Sequence, residues 1–228
     1  MEAVVLAGGL GTRLRAVVPD LPKPMAPVAG RPFLEILLSS LARKGVRRVL
    51  LSLGYKADVI VDHFGSRFDD MDLVPVVETA PLGTGGALRQ ALAHCQGPAA
   101  LVVNGDTFLD VDVAAAWRCW QDADAPVIVG KAVADAHRFG RLTVEADQLK
   151  GFADKGLAGP AIINTGHYVL PRTLFDGCNL PDPFSFEADF LAPKVDALSM
   201  RVYQTDGVFI DIGVPEDYEL AQTLLAGL

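Results

Sequence analysis

The chain has 228 residues, half of them hydrophobic, so a sizeable core is available and wholesale disorder is excluded. Its formal net charge of -8 argues against a nucleic-acid or anionic-membrane partner. The charge is uneven: residues 1–31 hold four basic groups (Arg13, Arg15, Lys23, Arg31) against Glu2 and Asp20, a net +2, which leaves -10 for the remainder. A basic island in an acidic protein suits a small anionic ligand.

The chain opens on Val4-Val5-Leu6-Ala7, an apolar run fit for a strand covered on both faces. It breaks into Gly8-Gly9-Leu10-Gly11-Thr12-Arg13-Leu14, with Pro22-Lys23-Pro24 ten residues on. Glycine lets the backbone turn sharply and bring N–H groups close to a ligand. Arg13 and Lys23 add fixed positive charge, and the set suits a polyphosphate. It is not a dinucleotide fingerprint, because Leu14 stands where the third glycine belongs, nor a Walker loop, because Gly11 is followed by Thr12-Arg13.

Elements then alternate at short intervals, which predicts a mostly parallel sheet flanked by helices. Arg31-Pro32 opens a helix to about Lys44, with Pro32 in its first turn and Phe33, Ile36, Leu37 and Leu41 on one face. Residues 47–53 give a second strand, 56–64 a short helix and 72–77 a third strand. A second glycine loop, Pro81-Leu82-Gly83-Thr84-Gly85-Gly86, leads into a helix over 86–95. A buried strand over 99–103 ends in Asn104-Gly105-Asp106. A helix near 112–121 carries Trp117 and Trp120 as packing residues. From 126 onward short strands (126–131, 141–145, 148–153, 161–170) suggest an antiparallel or mixed part of the sheet. Phe184 to Glu187 start a short helix; strands near 198–204 and 208–211 precede Asp211-Ile212-Gly213, and a helix closes the chain over 215–225. The chain reads as one domain of residues 1–228. Its first part spans about 1–125 and its second about 126–228, sharing one sheet.

Cys95, Cys119 and Cys178 are sparse and form no C-x-x-C pattern, which argues for a reducing compartment and against a zinc site. No run is long enough for a signal peptide or a span, so a cytoplasmic protein is expected. His63, His94, His137 and His167 lie outside the glycine and Asp motifs and are read as packing or surface residues.

In an open α/β sheet, ligands bind outside the carboxyl ends of the strands. Gly8-Gly9, Glu78, Asn104-Gly105-Asp106 and Asp211 all lie just past a predicted strand end. Asp106 and Asp211 are the metal candidates: Mg²⁺ binds through one or two carboxylates plus substrate phosphates. The competing role for such an Asp is an Asx turn or a helix cap.

These residues resemble the sugar-1-phosphate nucleotidyltransferases. The resemblance covers nearly the whole chain and rests on Leu6 to Leu14, Pro22-Lys23-Pro24-Met25, Pro81 to Ala87, Asn104-Gly105-Asp106, Ile163-Asn164-Thr165-Gly166 and Asp211-Ile212-Gly213. It implies a Rossmann-like three-layer α/β/α sandwich with a mixed, mostly parallel central sheet. It also implies a Mg²⁺-dependent reaction in which a nucleoside triphosphate and a sugar 1-phosphate give a nucleotide-sugar and pyrophosphate. By this resemblance Arg13, Lys23 and Asp106 are catalytic. Leu6, Ala7, Gly8, Gly9, Gly11, Thr12 and Arg13, with Glu78, Pro81, Gly83, Thr84, Asn104 and Gly105, hold the nucleotide. Gly140, Lys155, Asn164, Thr165 and Glu187 face the sugar phosphate, and Asp106 and Asp211 hold Mg²⁺. The family's Glu-Lys-Pro around the third lysine reads Asp154-Lys155-Gly156 here.

Leu21 to Pro27 and Asn104 to Phe108 resemble the branch that joins GTP to D-glycero-α-D-manno-heptose 1-phosphate for cell-surface polysaccharide. Mannose 1-phosphate with GTP and N-acetylmuramate 1-phosphate with UTP are the alternatives, and a non-catalytic nucleotide-sugar-binding regulator is a further one. A monomer or homodimer is expected, without the hexapeptide-repeat β-helix of some relatives. The chemistry needs no general base, because a phosphate monoester with a second pKa near 6 is largely deprotonated at pH 7. Glu78, an acceptor-only carboxylate, could take both the N1–H and the 2-amino group of guanine.

Overall fold

The computed structural model describes residues 1–9, 11, 14, 17–153 and 156–228. Its first part is built from β1 (Glu2–Leu6), the short pair β2 (Pro27–Val28) and β3 (Arg31–Pro32), α1 (Phe33–Arg43), β4 (Arg48–Leu53), α2 (Ala57–Phe64), β5 (Arg67–Phe68), β6 (Met71–Val77), α3 (Gly83–Leu92), β7 (Ala99–Asn104), β8 (Thr107–Leu109) and α4 (Val113–Ala123). The second part adds β9 (Val127–Val133), β10 (Arg141–Glu145), β11 (Gln148–Ala153), β12 (Ala161–Pro171), α5 (Val195–Leu198), β13 (Arg201–Gln204), β14 (Phe209–Asp211) and α6 (Pro215–Leu224).

Ten strands form one sheet in the order β10-β11-β13-β9-β12-β7-β1-β4-β6-β5. The neighbours β7, β1, β4 and β6 are parallel. β12 runs against both β7 and β9, so it joins the parallel half to the mixed half within one sheet. The sheet is mixed, as expected, but parallel pairing is confined to four of its nine neighbouring pairs, β13–β9 and the run β7-β1-β4-β6. The later strands and the β5–β6 hairpin make the other five antiparallel, so it is not mostly parallel.

Alternation along the central strands sends side chains into two cores. Ala3 and Val5, Val49 and Leu51, and Leu101 and Val103 face α1, α2 and α4. Val4, Leu50, Ala100 and Val102 face α3 and the Phe184–Phe190 segment. Both faces are covered, which is why these strands read as continuous apolar runs. Burying each large aliphatic side chain contributes about 1.5–3 kcal/mol. Trp117 and Trp120 pack together against the first core at 5.3 Å between ring centroids. A third core under α6 gathers Leu14, Phe33, Ile36, Phe108, Ile210 and Tyr218.

Several boundaries differ from the expected ones. Arg31-Pro32 pairs with Pro27-Val28 instead of forming the first turn of α1. α3 begins at Gly83, not at residue 86. A short strand after Asp106, β8, pairs antiparallel with β14; three residues carry too little periodicity to be seen in sequence. The helix expected at Phe184 begins at Phe186 as a wide π-type turn through Leu191.

Candidate active site

Two adjoining cavities open at the carboxyl ends of the central strands, with volumes of about 430 and 480 Å³. Leu6, Thr84, Asn104 and Asp106 line both.

The first cavity is framed largely by backbone. Leu6, Ala7, Gly8, Gly9 and Gly11 bound it on the β1 side, Asn104 and Gly105 past β7, and Glu78, Pro81, Gly83 and Thr84 past β6. The loop after β1 is pressed against its neighbours. A Cβ on Gly105 would stand 2.9 Å from the Leu6 carbonyl oxygen, where the Gly105 N–H donates at 2.8 Å. A Cβ on Gly8 would stand 2.8 Å from Glu78 Oε1, so that carboxylate overhangs the glycine loop. Glu78 Oε2 accepts from the Leu82 N–H at 3.1 Å. Burial pushes the Glu78 carboxyl up from its ordinary value, and the Leu82 N–H draws it back in part.

The second glycine loop has a different reason for its composition. Gly85 and Gly86 face protein: a Cβ on either would stand within 2.3 Å of the Phe184 ring or of Asp182 Oδ1. Gly83 has φ +70°, and its Cβ would meet the Phe184 carbonyl oxygen at 2.4 Å. The clasp is completed by the Gly85 N–H donating to Phe184 O at 2.9 Å and the Phe186 N–H donating to Thr84 Oγ1 at 2.9 Å. The loop beside the first cavity is thereby fastened to the segment that walls the second.

Lys23, Asp106 and Asp211 meet at the junction. The β8–β14 ribbon pairs Thr107 with Asp211, and the Ile212 N–H donates to Asp106 O at 3.0 Å, which brings two residues 105 positions apart onto one rim. Lys23 Nζ, on a short 3₁₀ turn, lies 2.5 Å from Asp106 Oδ2 and 3.8 Å from Asp211 Oδ1, with its side chain 9% exposed. Asp211 Oδ1 also accepts from the Gly213 N–H at 2.7 Å, so the Asx-turn role and the site position coexist. Arg31, counted in the basic island, instead bonds Glu35, Ser39 and the Leu228 carbonyl.

Side chains dominate the second cavity. Gly140, Asn164, Thr165, Glu187 and Asp211 line it, as do Arg138, Phe139, Tyr168 and Phe186. Asn164 Nδ2 donates to Glu187 Oε1 at 2.7 Å and to the Tyr168 hydroxyl at 2.8 Å, and that hydroxyl donates to Glu187 Oε1 at 2.9 Å. A register shift in β12 between Asn164 and Tyr168 turns these side chains toward the site, and Gly166 at φ +72° makes the bend. Burial, then the Glu187 charge, pushes the Tyr168 hydroxyl well above its ordinary value, so it stays protonated as a donor. Thr165 contributes differently from the expected contact: its hydroxyl is buried and donates to Val129 O at 2.8 Å, holding β12 to β9.

Thr12, Arg13 and Lys155 lie outside the described residues. Of the four histidines, His167 is fully buried, and burial lowers its pKa to about 4. Sequence reasoning missed Ser52 at the first cavity. It also missed Gly54, which does not line the cavity but lies so close to the Gly8 carbonyl that a Cβ would stand 2.8 Å away. It also missed Tyr168, Arg138 and Phe186. Arg138 and Phe139 could have been found as neighbours of Gly140, whereas Tyr168 reads as an ordinary core aromatic until the bulge is seen. Among the described residues no three His, Cys, Asp or Glu side chains cluster to hold a metal, and no helix is long and apolar enough to cross a membrane.

A nucleotidyl transferase family model matches residues 2–226. The chain is similar to D-glycero-alpha-D-manno-heptose 1-phosphate guanylyltransferase of Campylobacter jejuni, 38% identical over 96% of this chain and 97% of the relative. It is similar also to the enzyme of the same name from Aneurinibacillus thermoaerophilus, 36% identical over 97% of each chain. Among solved structures it resembles HddC from Yersinia pseudotuberculosis, with a TM-score of 0.86, 38% identity and 97% of both chains covered. The same protein complexed with GMP-PN superposes with a TM-score of 0.83.

Proposed function

The chain belongs to the nucleotidyl transferase family, and from that premise we propose that it transfers GMP from GTP to D-glycero-α-D-manno-heptose 1-phosphate, releasing pyrophosphate. The observation that carries the proposal is the pair of adjoining cavities sharing Asp106, with Lys23 and Asp211 at their junction. The first cavity is the nucleotide's, the second the sugar phosphate's, and the reacting atoms meet over Asp106.

An oxygen of the sugar phosphate attacks the α-phosphorus of GTP, and the bond from that phosphorus to the bridging oxygen breaks as pyrophosphate leaves. The attacking oxygen is already largely deprotonated, so no residue is needed as a base. Catalysis then consists of aligning two anions and stabilising the charge that develops on the leaving group. Lys23, held by Asp106 and beside Asp211, has its ammonium fixed at the junction where the phosphates meet. Glu78 accepts from the N1–H and 2-amino edge of guanine, with Oε1 facing the glycine loop and Oε2 shared with the Leu82 N–H. The Asn164–Tyr168–Glu187 network offers polar groups to sugar hydroxyls.

Two carboxylates on one rim fit Mg²⁺, a hard cation that takes few protein oxygens and completes its shell with phosphates and water. When bound by Asp106 and Asp211 it would supply positive charge to the triphosphate.

Pyrophosphate release measured across four nucleoside triphosphates and the 1-phosphates of heptose, mannose and N-acetylmuramate tests the proposal. The highest kcat/KM is expected for GTP with heptose 1-phosphate. Release with another pair and none with GTP would overturn it.

A further inference from the structure

Among the described residues lining the second cavity, Asp106, Glu187 and Asp211 are acidic and Arg138 alone is cationic. A phosphate monoester brings between one and two negative charges near neutrality. Even with a divalent cation over Asp106 and Asp211, Glu187 and the incoming phosphate need a compensating charge in a partly desolvated space.

Arg138 is already aimed. Its Nη1 and Nη2 donate to the two Asp217 oxygens at 3.1 and 2.5 Å, a bidentate pair. The guanidinium carbon lies 5.7 Å from the Phe139 ring centroid, which limits rotation about the side chain. The pair with Asp217 occupies two of the five N–H donors and leaves three for a ligand. The hydrogen bond to Asp217, and then its charge and those of Asp211 and Glu216, hold Arg138 firmly protonated. Asp217 sits in the first turn of α6, directly after the Asp211-Ile212-Gly213 stretch. The same helix anchors the chain beyond Lys23: the Tyr218 hydroxyl donates to Pro27 O at 2.6 Å, and Gln222 Nε2 donates there at 3.1 Å. One helix therefore bonds both Arg138, through Asp217, and the chain four residues beyond Lys23.

We propose that Arg138 receives the phosphate of the sugar 1-phosphate and that Asp217 is the positioning residue that orients it; this rests on the second cavity being the sugar-phosphate site. A pair serving only as a surface latch would add little stability and would treat the two substrates alike.

The test is calorimetric binding of D-glycero-α-D-manno-heptose 1-phosphate and of GTP, and their KM values where turnover occurs, in the wild-type chain and in Arg138→Gln, Arg138→Lys, Asp217→Asn and the Arg138→Gln/Asp217→Asn pair. Loss of a charge-assisted contact should weaken sugar-phosphate binding about tenfold to hundredfold in Arg138→Gln. Arg138→Lys should recover part of it, GTP binding should stay within about twofold, and the unfolding midpoint should be unchanged. Asp217→Asn should weaken sugar-phosphate binding by a smaller factor and add nothing to Arg138→Gln, which a merely structural role would not produce. Binding without turnover that depends on Arg138 would fault the proposed reaction and uphold the phosphate site. Turnover with binding indifferent to Arg138, equal loss of both substrates, or no sugar-phosphate binding by the wild-type chain would each overturn the assignment.

Discussion

The two cavities are about equal in volume but are built by opposite means. The first is shaped by main chain: glycines 8, 83 and 105 stand where a Cβ would strike a carboxylate or a carbonyl. The second is shaped by side chains, with Asn164, Tyr168 and Glu187 bonded to one another and Arg138 bonded to Asp217. A backbone frame tolerates almost no substitution at its glycines, because any side chain at all is an obstruction. A side-chain network can be retuned one hydroxyl or amide at a time while the frame stays put. The first cavity is therefore the part of the site least open to substitution, and the second is the part whose preference can be adjusted.

Breaking the element the two cavities share should have the largest effect. Asp106→Asn keeps the size and removes the charge, and turnover should fall by about a thousandfold or more, roughly 4 kcal/mol in barrier, while the unfolding midpoint stays within a few degrees. Activity near wild type, measured with saturating GTP and Mg²⁺, would show that Asp106 takes no part in the reaction. Gly83→Ala tests the backbone frame. With φ +70° and Phe184 O only 2.4 Å from the added Cβ, the loop must shift at a cost of about 1–3 kcal/mol. Urea unfolding should register that loss, and GTP binding should weaken more than sugar-phosphate binding. An unchanged urea midpoint with normal GTP affinity would show that the frame is pliable and dissolve the contrast. Tyr168→Phe tests the side-chain network at its gentlest. Losing one hydroxyl from the Asn164–Tyr168–Glu187 set should cost about 1 kcal/mol, or roughly fivefold in the sugar 1-phosphate KM. The GTP KM should not move, and an equal change in both would mean that the network serves the whole site and not the sugar alone.

The same contrast explains what could be read in the sequence. Glycine requirements are local, so Leu6 to Gly11 and Asn104-Gly105-Asp106 stood out beside their strands before any coordinate was known. Continuous apolar runs such as Val49–Leu51 marked the central strands because both faces are covered. The second cavity is assembled from residues of common type far apart in the chain. Asn164 and Glu187 came from family resemblance, and Tyr168 was invisible until the β12 bulge turned it toward Glu187. Gly85 and Gly86 carried the opposite lesson: they look like a ligand loop, yet their missing side chains make room for Phe184 and Asp182. Asp211 showed that a turn residue and a site residue can be one, since Oδ1 accepts from the Gly213 N–H while facing Lys23 at 3.8 Å.

In the proposed reaction one substrate fills each cavity and the two are joined over Asp106. A crystal structure of the chain with GDP-heptose tests this most directly. Guanine should lie over Gly8 beside Glu78, the heptose against Asn164 and Glu187, and the diphosphate between Lys23 and Arg138 above Asp106. A product bound with its sugar in the first cavity, or with its diphosphate remote from Asp106, would contradict it.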